Sequence, residues 1–373
     1  MDLLYELWLH DICSFNAKKV DKYLYYFDSA YNAFHSKVYS LTAIAKLGFS
    51  AFSSEVRNLD RAKRIIADCK EKDIRIITIN DEEYPALLKH IYLPPRILFA
   101  KGSLKNLNAS FPVTFVGTRT STAQGKLFTN QIVERLVKNN NIMIISGMAE
   151  GIDAEAHLGA LKGGAPTVAV LAGGVDIIYP RSNRSLYYKI LENGAVISEQ
   201  PPGTVGRGYF YNQRNRIVAG MSYGTVIVEA DLKSGCKLTL NHALDNNRDI
   251  FAVPSNPLSV QSQLPTKLLK DGAIILENEF DIINQYCEIY PEYFNINSNN
   301  NKTETKHSSL DNLSDDEKNV VTSIINCGGE ANAENMAAEL DIPVGRLNGI
   351  LTVLCLKDVL CQQSQSQYLL KEA

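Results

Sequence analysis

Apolar positions change their period twice along the chain. Up to about residue 70 they recur at helical spacing, as in Leu3, Leu4 and Leu7 and again in Ile65, Ile66 and Cys69, which predicts helices with one buried face. A β-branched run at 75–80 then leads into YPALLKHIYLPPRILFAKG (84–102). There Pro85, Pro94 and Pro95 stop helix and favour turns and extended chain. From 111 to about 285 short apolar runs alternate with helical patterns; strands are expected at 113–117, 141–146, 166–171, 195–198, 225–230, 249–254 and 273–277. Nearly continuous apolar strands suit a sheet covered on both faces. Helical segments between them mean crossover connections, so the fold class is α/β with a doubly wound, mainly parallel sheet. Ligands of such sheets bind at the carboxyl edge, where Gly117, Ser146, Ala172 to Gly174, Ser198 and Pro254 lie.

The pattern lapses at 291–310, rich in Asn and Ser with few apolar anchors, which reads as a linker. Beyond it, 314–326, 331–340 and 343–357 read as three short helices, and the tail as a hairpin. Three helices and a hairpin suggest a small winged-helix domain. The expected organisation is a helical N-terminal domain (1–70), an α/β domain (71–288), a linker (289–309) and the winged-helix-like domain (310–373).

Composition adds exclusions. With 45% apolar and 21% charged residues, the chain is neither disordered, collagen-like nor a disulfide framework. The seven cysteines never form C-x-x-C and the six histidines never pair at ligand spacing, so neither a metal nor a cofactor is expected. An odd thiol count fits a reducing cytosol. MDLLYELWLHD reads as a helix rather than a signal peptide, and no apolar run reaches the roughly 18 residues of a membrane span; a cytoplasmic protein is expected. The net charge of −3 argues at first against a nucleic-acid partner.

Local patterns argue the other way. The strand at 113–117 runs into VGTRTSTAQG, where Gly117 and Thr118 make a turn and Arg119 can hold a phosphate. The spacing matches neither a dinucleotide fingerprint nor a P-loop. SGMAEGIDAEAH offers Ser146 and Gly147 at a strand end, Gly151 for close backbone approach, Asp153 as a helix cap and His157, a lone helical histidine that reads as packed more readily than as a base. In GRGYFYNQRNR, Arg207, Arg214 and Arg216 flank Tyr209, Phe210 and Tyr211. Cations interleaved with rings suit single-stranded nucleic acid, because charge tracks the backbone and rings stack on bases. EADLKSGCK supplies a second turn into a helix, with Lys233, Ser234, Gly235 and Lys237 as an anion site, or Glu229 and Asp231 as acid or base groups. Residues 119–237 hold 13 Lys+Arg against 9 Asp+Glu, so positive charge is concentrated around the strand-edge loops.

Together, YPALLKHIYLPPRILFAKG, VGTRTST, SGMAEGIDAEAH, GGVDIIYPRSN, SEQPPGT, RNRIVAG, VIVEA and SGCKLT resemble the DNA-processing protein A (DprA/Smf) family in order and spacing over roughly 70–285. The resemblance implies an extended Rossmann-like fold, a homodimer joined through that part, single-stranded DNA binding without sequence preference, loading of the recombinase RecA in recombination and natural transformation, and no enzymatic activity. It implies a phosphate contact for Arg119, a stacking role for Tyr211, and DNA-facing or structural roles for Arg214 and Arg216. Arg207 lies one position from the family's basic residue. Glu150 departs by standing where the family has arginine. Residues 308–373 hold four Lys+Arg against ten Asp+Glu, so the C-terminal domain is expected to contact protein or to pack rather than to meet DNA. Two other readings stay open: a nucleotide phosphoribohydrolase using Glu229 in GTVIVEA, and a protein-interaction scaffold.

Overall fold

The computed structural model describes residues 3–36, 57–103, 107–295, 314–326, 330–332, 336–337, 340, 342–357, 359–362 and 367–370. The chain forms two compact units, 1–296 and 297–373.

The first unit is built on a nine-stranded sheet with the order β1 (Arg75–Thr78), β2 (Ile97–Gly102), β6 (Gly194–Ser198), β5 (Thr167–Val170), β4 (Ile142–Ser146), β3 (Phe111–Val116), β7 (Gly224–Ile227), β8 (Asp249–Ala252), β9 (Ile274–Ile275). From β6 to β9 every pairing is parallel. β1 and β2 add antiparallel edge strands, with Phe99 opposite Ser198. Only β2 departs from the expected strand set, because 84–102 reads as turn-rich chain. Pro94 and Pro95 end before it, and Ile97, Leu98, Phe99 and Ala100 are buried between neighbours.

The chain winds outward from β3 through β4, β5 and β6, then crosses back to β7 on the other side of β3. That reversal makes β3/β7 a topological switch point, the place where the connections at the carboxyl edge diverge and leave a crevice. Helices α5 (Ala123–Lys138), α6 (Ile152–Lys162) and α7 (Arg184–Glu192) cover one face, with Ile132, Val133, Leu136 and Ala156 packed against Phe111, Val113 and Ile144 and Leu186 and Ile190 in one cluster with Ala169 and Val196. Helices α8 (Gly208–Gly220), α9 (Cys236–Asp245) and α10 (Gln263–Lys270) cover the other, with Ile217, Leu240 and Leu264 against Ile145, Val168 and Ile227.

The N-terminal helices α1 (Leu3–Ile12), α2 (Ala17–Phe27), α3 (Ala30–His35) and α4 (Asp60–Glu71) follow the helical periodicity. Their apolar faces share one buried cluster with the sheet, joining Trp8, Tyr23 and Ile65 to Phe99, Leu171 and Val196. α2 is capped by Asn16, whose side chain accepts from the Lys19 amide, as short polar residues do at helix starts.

In the second unit, helices at Asp315–Asn326 and Val344–Leu356 accompany a three-stranded antiparallel sheet of Glu330–Asn332, Gln367–Leu370 and Leu360–Gln362. The expected terminal hairpin forms, Cys361 pairing with Leu369. Of the helix expected over 331–340, 333–335, 338 and 339 lie outside the described residues, 336 and 337 are helical, and 331–332 lie in a strand instead. Of the expected linker, 296–309 lies outside the described residues.

Candidate nucleic-acid interface

A cleft of about 430 Å³ opens at the switch point. The loop after β3 contributes Gly117, Thr118 and Arg119; the loop after β4, Gly147 and Ala149; the turn before α9, Ser234, Gly235 and Cys236. α8 contributes Tyr211, Arg214, Asn215 and Val218, the i, i+3, i+4, i+7 set that a helix presents to one side, together with Asn212, and Asp153, Asp231, Leu238 and Thr239 also line the cleft.

The loops approach so closely that only glycine fits at three positions. A Cβ at Gly147 would lie 2.4 Å from the Arg214 guanidinium, and one at Gly117 would lie 2.4 Å from the Ile152 side chain. Gly151, at φ +81°, sits where a Cβ would meet the Thr118 carbonyl at 2.4 Å, so both steric space and backbone angle require glycine. Asp153 is not the cap expected of it. The N-cap is Gly151, and the Asp153 carboxylate accepts from the Gly147 and Ala149 amides at 3.1 and 3.4 Å, shaping the loop from behind. Burial raises its pKa, against the pull of Arg214.

Two guanidinium groups lie near the Tyr211 ring, Arg119 at 5.7 Å and Arg214 at 5.9 Å from its centroid, in cation–π range. Tyr179, 58% exposed, meets its edge at 6.4 Å. The two arginines differ in kind. Arg119 is exposed, and among the described residues no carboxylate forms an ion pair with it. Arg214 is buried and donates to the Gly147 and Val170 carbonyls at 2.6 and 2.5 Å. It therefore holds the floor of the cleft while its charge remains beneath the ring.

The sequence-predicted residues divide accordingly. Gly117, Thr118, Arg119, Gly147, Tyr211, Arg214, Ser234 and Gly235 converge on the cleft. Ser146, Arg216, Arg207, Lys233 and Lys237 are not among its lining residues. Ser146 is fully buried and donates to the Phe115 carbonyl at 2.6 Å. Arg216 points off the opposite side of α8 into a buried ion pair, donating to both Glu199 oxygens at 2.6 and 2.7 Å. Arg207 lines a separate cleft, with Phe210. Lys233 is exposed on the turn before α9, and Lys237 is half-buried in that helix's first turn. Sequence reasoning missed Asn215, which helical spacing of four from Tyr211 would have found, and Asn212 and Tyr179, which no local pattern marks. It also missed a third cleft that shares Arg119 and adds Lys126 and Lys189 beside Glu150.

Two groups with a chemical reading prove structural. His157 is fully buried, its Nδ1 2.7 Å from the Thr167 hydroxyl, and burial pushes its pKa down to about 3. Glu229 accepts from the Thr122 amide at 2.8 Å and the Thr122 hydroxyl at 2.5 Å, while its own carbonyl accepts from the Thr118 amide at 2.6 Å. It clamps the loop after β3 to the end of β7 and is not among the residues lining any of these three clefts. Among the described residues no group of three or more His, Cys, Asp or Glu could hold a metal ion, and no helix is long and apolar enough to cross a membrane.

Residues 75–287 match the family described as DNA recombination-mediator protein A. The chain is 34% identical to DNA processing protein DprA of Bacillus subtilis (strain 168) over 245 residues, 65% of this chain and 82% of that protein. It is 36% identical to DNA processing protein DprA of Streptococcus pneumoniae (strain R6) over 210 residues, 56% of this chain and 73% of that one. Its fold is similar to the X-ray structure of DprA from Streptococcus pneumoniae, with a TM-score of 0.64 and 29% identity over 76% of this chain and 97% of that one. It is also similar to DNA processing protein A from Helicobacter pylori, whose structure concerns a single-stranded DNA binding mode, with a TM-score of 0.53 and 28% identity over 59% of this chain and 98% of that one.

Proposed function

The chain belongs to the DNA recombination-mediator protein A family, and from that membership we propose that it binds single-stranded DNA in the switch-point cleft. The observation that carries the reading is the pairing of an exposed, unmatched Arg119 with the Tyr211 ring at 5.7 Å. A phosphate takes the guanidinium, and the adjoining base stacks on the ring for about 1–3 kcal/mol. The Gly235 turn into α9 lines the same cleft, and the dipole at a helix N-terminus favours a second phosphate there. Every base has a ring face, so this mode is indifferent to sequence.

The resemblance extends the proposal to loading of RecA in natural transformation by a homodimer joined through the Rossmann-like part, with no catalytic step. Glu229's engagement with Thr122 supports the non-enzymatic reading over base release from a nucleotide.

The test is a titration of labelled oligo-dT at several salt concentrations with the wild type and Arg119→Ala. A charge-assisted phosphate contact is worth about 1.5–3 kcal/mol, so affinity should fall about tenfold or more. The log–log salt slope should shrink by about 0.7, the value for one phosphate of a single strand. Unchanged affinity and slope reject the site.

A further inference from the structure

A cleft of about 560 Å³ lies between α4 and the loop before α8. Its α4 side carries Arg61, Arg64 and Asp68; its loop side carries Val205, Arg207 and Phe210. Asp68 is the one carboxylate among the lining residues. Arg61 is held at 2.7 Å by Asp11, whereas Arg64 and Arg207 are exposed and neither forms an ion pair among the described residues. Val205 is 62% exposed. Two exposed guanidinium groups without an ion pair among the described residues share this cleft with Val205 and Phe210, and so repeat the chemistry of the switch-point cleft, charge for phosphate and ring for base.

The two clefts share α8. Arg207 is its N-cap and Phe210 lies in its first turn, and the Tyr211 amide donates to the Arg207 carbonyl at 3.3 Å. At 1.5 Å per residue, Arg207 and Tyr211 are about 6 Å apart along the axis. A Cβ at Gly206 would come 3.4 Å from the Tyr211 hydroxyl, so one loop thickness divides the two spaces. The N-terminal helices are fixed against this segment: Asn16, the cap of α2, donates to the Tyr209 hydroxyl. Arg61 and Arg64 lie outside the stretch that matches the family, which begins at residue 75.

We propose that this second cleft is a further subsite for single-stranded DNA, in which Arg64 and Arg207 hold phosphates and Phe210 stacks on a base next to the one on Tyr211. The proposal rests on the reading of the switch-point cleft and gives the N-terminal helices a part in binding. A strand too short to leave the first cleft does not reach Arg64; a longer one does.

The experiment compares full-length wild type, Arg64→Ala, Arg64→Glu and Arg119→Ala on labelled oligo-dT of about six and about twenty nucleotides. Arg64→Glu should weaken the long strand about five- to tenfold and reduce its salt slope by about 0.7. Arg64→Ala should do so by less, and both should leave the short strand within about twofold. Arg119→Ala should weaken both lengths. Arg64 is exposed, and matching thermal melts check the folded state of each variant. An Arg64→Glu protein that binds the long strand like wild type, or that loses both lengths equally, overturns the subsite while the first cleft stands. If Arg119→Ala changes neither length, the first cleft fails and the second falls with it.

Discussion

Two arginines that look alike in sequence carry different loads beside the Tyr211 ring. Arg119 is solvated and can exchange water for phosphate, whereas burial lowers the pKa of Arg214 and spends its donors on two carbonyls. A buried charge is tolerated only when fully hydrogen-bonded, so Arg214 is read as the support on which the ring and the Gly147 loop rest. The histidines report burial in another way. His157 and His10 are pushed down to about 3 and about 4 by desolvation, while an unfolded chain takes up their protons from about pH 6.5. Between those limits the unfolded state binds more protons, so stability falls as pH falls, by up to about 1.4 kcal/mol per pH unit for each histidine. Burial raises Glu6, Asp153 and Glu199, and these carboxyls oppose the trend. The comparison that isolates one group is His157→Gln against wild type: the fall in Tm from pH 7 to pH 5 should be shallower in the variant. Equal pH slopes reject a titrating role for His157.

At the scale of elements, α8 decides most of the chemistry. Its outward stripe, Tyr211, Arg214, Asn215 and Val218, lines the cleft, while Arg216 leaves from the far side to Glu199. The Arg-Asn-Arg spacing was legible in the sequence, and helical geometry alone says that its two arginines diverge. Which of them meets the cleft was not legible, because that depends on the helix's rotation against β5 and β3. Removing one partner of a buried ion pair costs about 3–5 kcal/mol. Arg216→Met should therefore lower stability by about that amount in denaturant melts and leave the salt slope for oligo-dT unchanged. A smaller slope with intact stability would move Arg216 back to the DNA. The loops after β3 and β7 were also legible as turns into helices. Their union through Thr122 and Glu229 was not, since the two residues are distant in sequence.

For the whole molecule, the net charge of −3 conceals a division of labour. Residues 119–237 hold 13 Lys+Arg against 9 Asp+Glu, and of these Arg119 and Arg214 line the switch-point cleft with Asp153 and Asp231, whereas residues 308–373 hold four Lys+Arg against ten Asp+Glu. An acidic unit repels a polyanion at low salt and is screened at high salt. A chain ending at residue 296, the first compact unit, should bind oligo-dT within about twofold of the full chain at physiological salt. A tenfold loss in that titration would assign the C-terminal unit to DNA.

The sequence by itself determined the order of strands and helices in the α/β part from β3 onward, because burial on both faces demands continuous apolar runs and helices demand their period. It also marked the turn that carries Arg119, because few residue types suit a tight strand-to-helix turn. The sequence left open which segments become neighbours. Strand order brought β3 beside β7, more than a hundred residues away, and opened the crevice between them. Helix rotation chose between Arg214 and Arg216. Packing of α4 on the sheet set Arg64 opposite Arg207 across a second cleft. Each of these is a contact between distant parts of the chain, fixed by how buried faces fit together, and no local period encodes it.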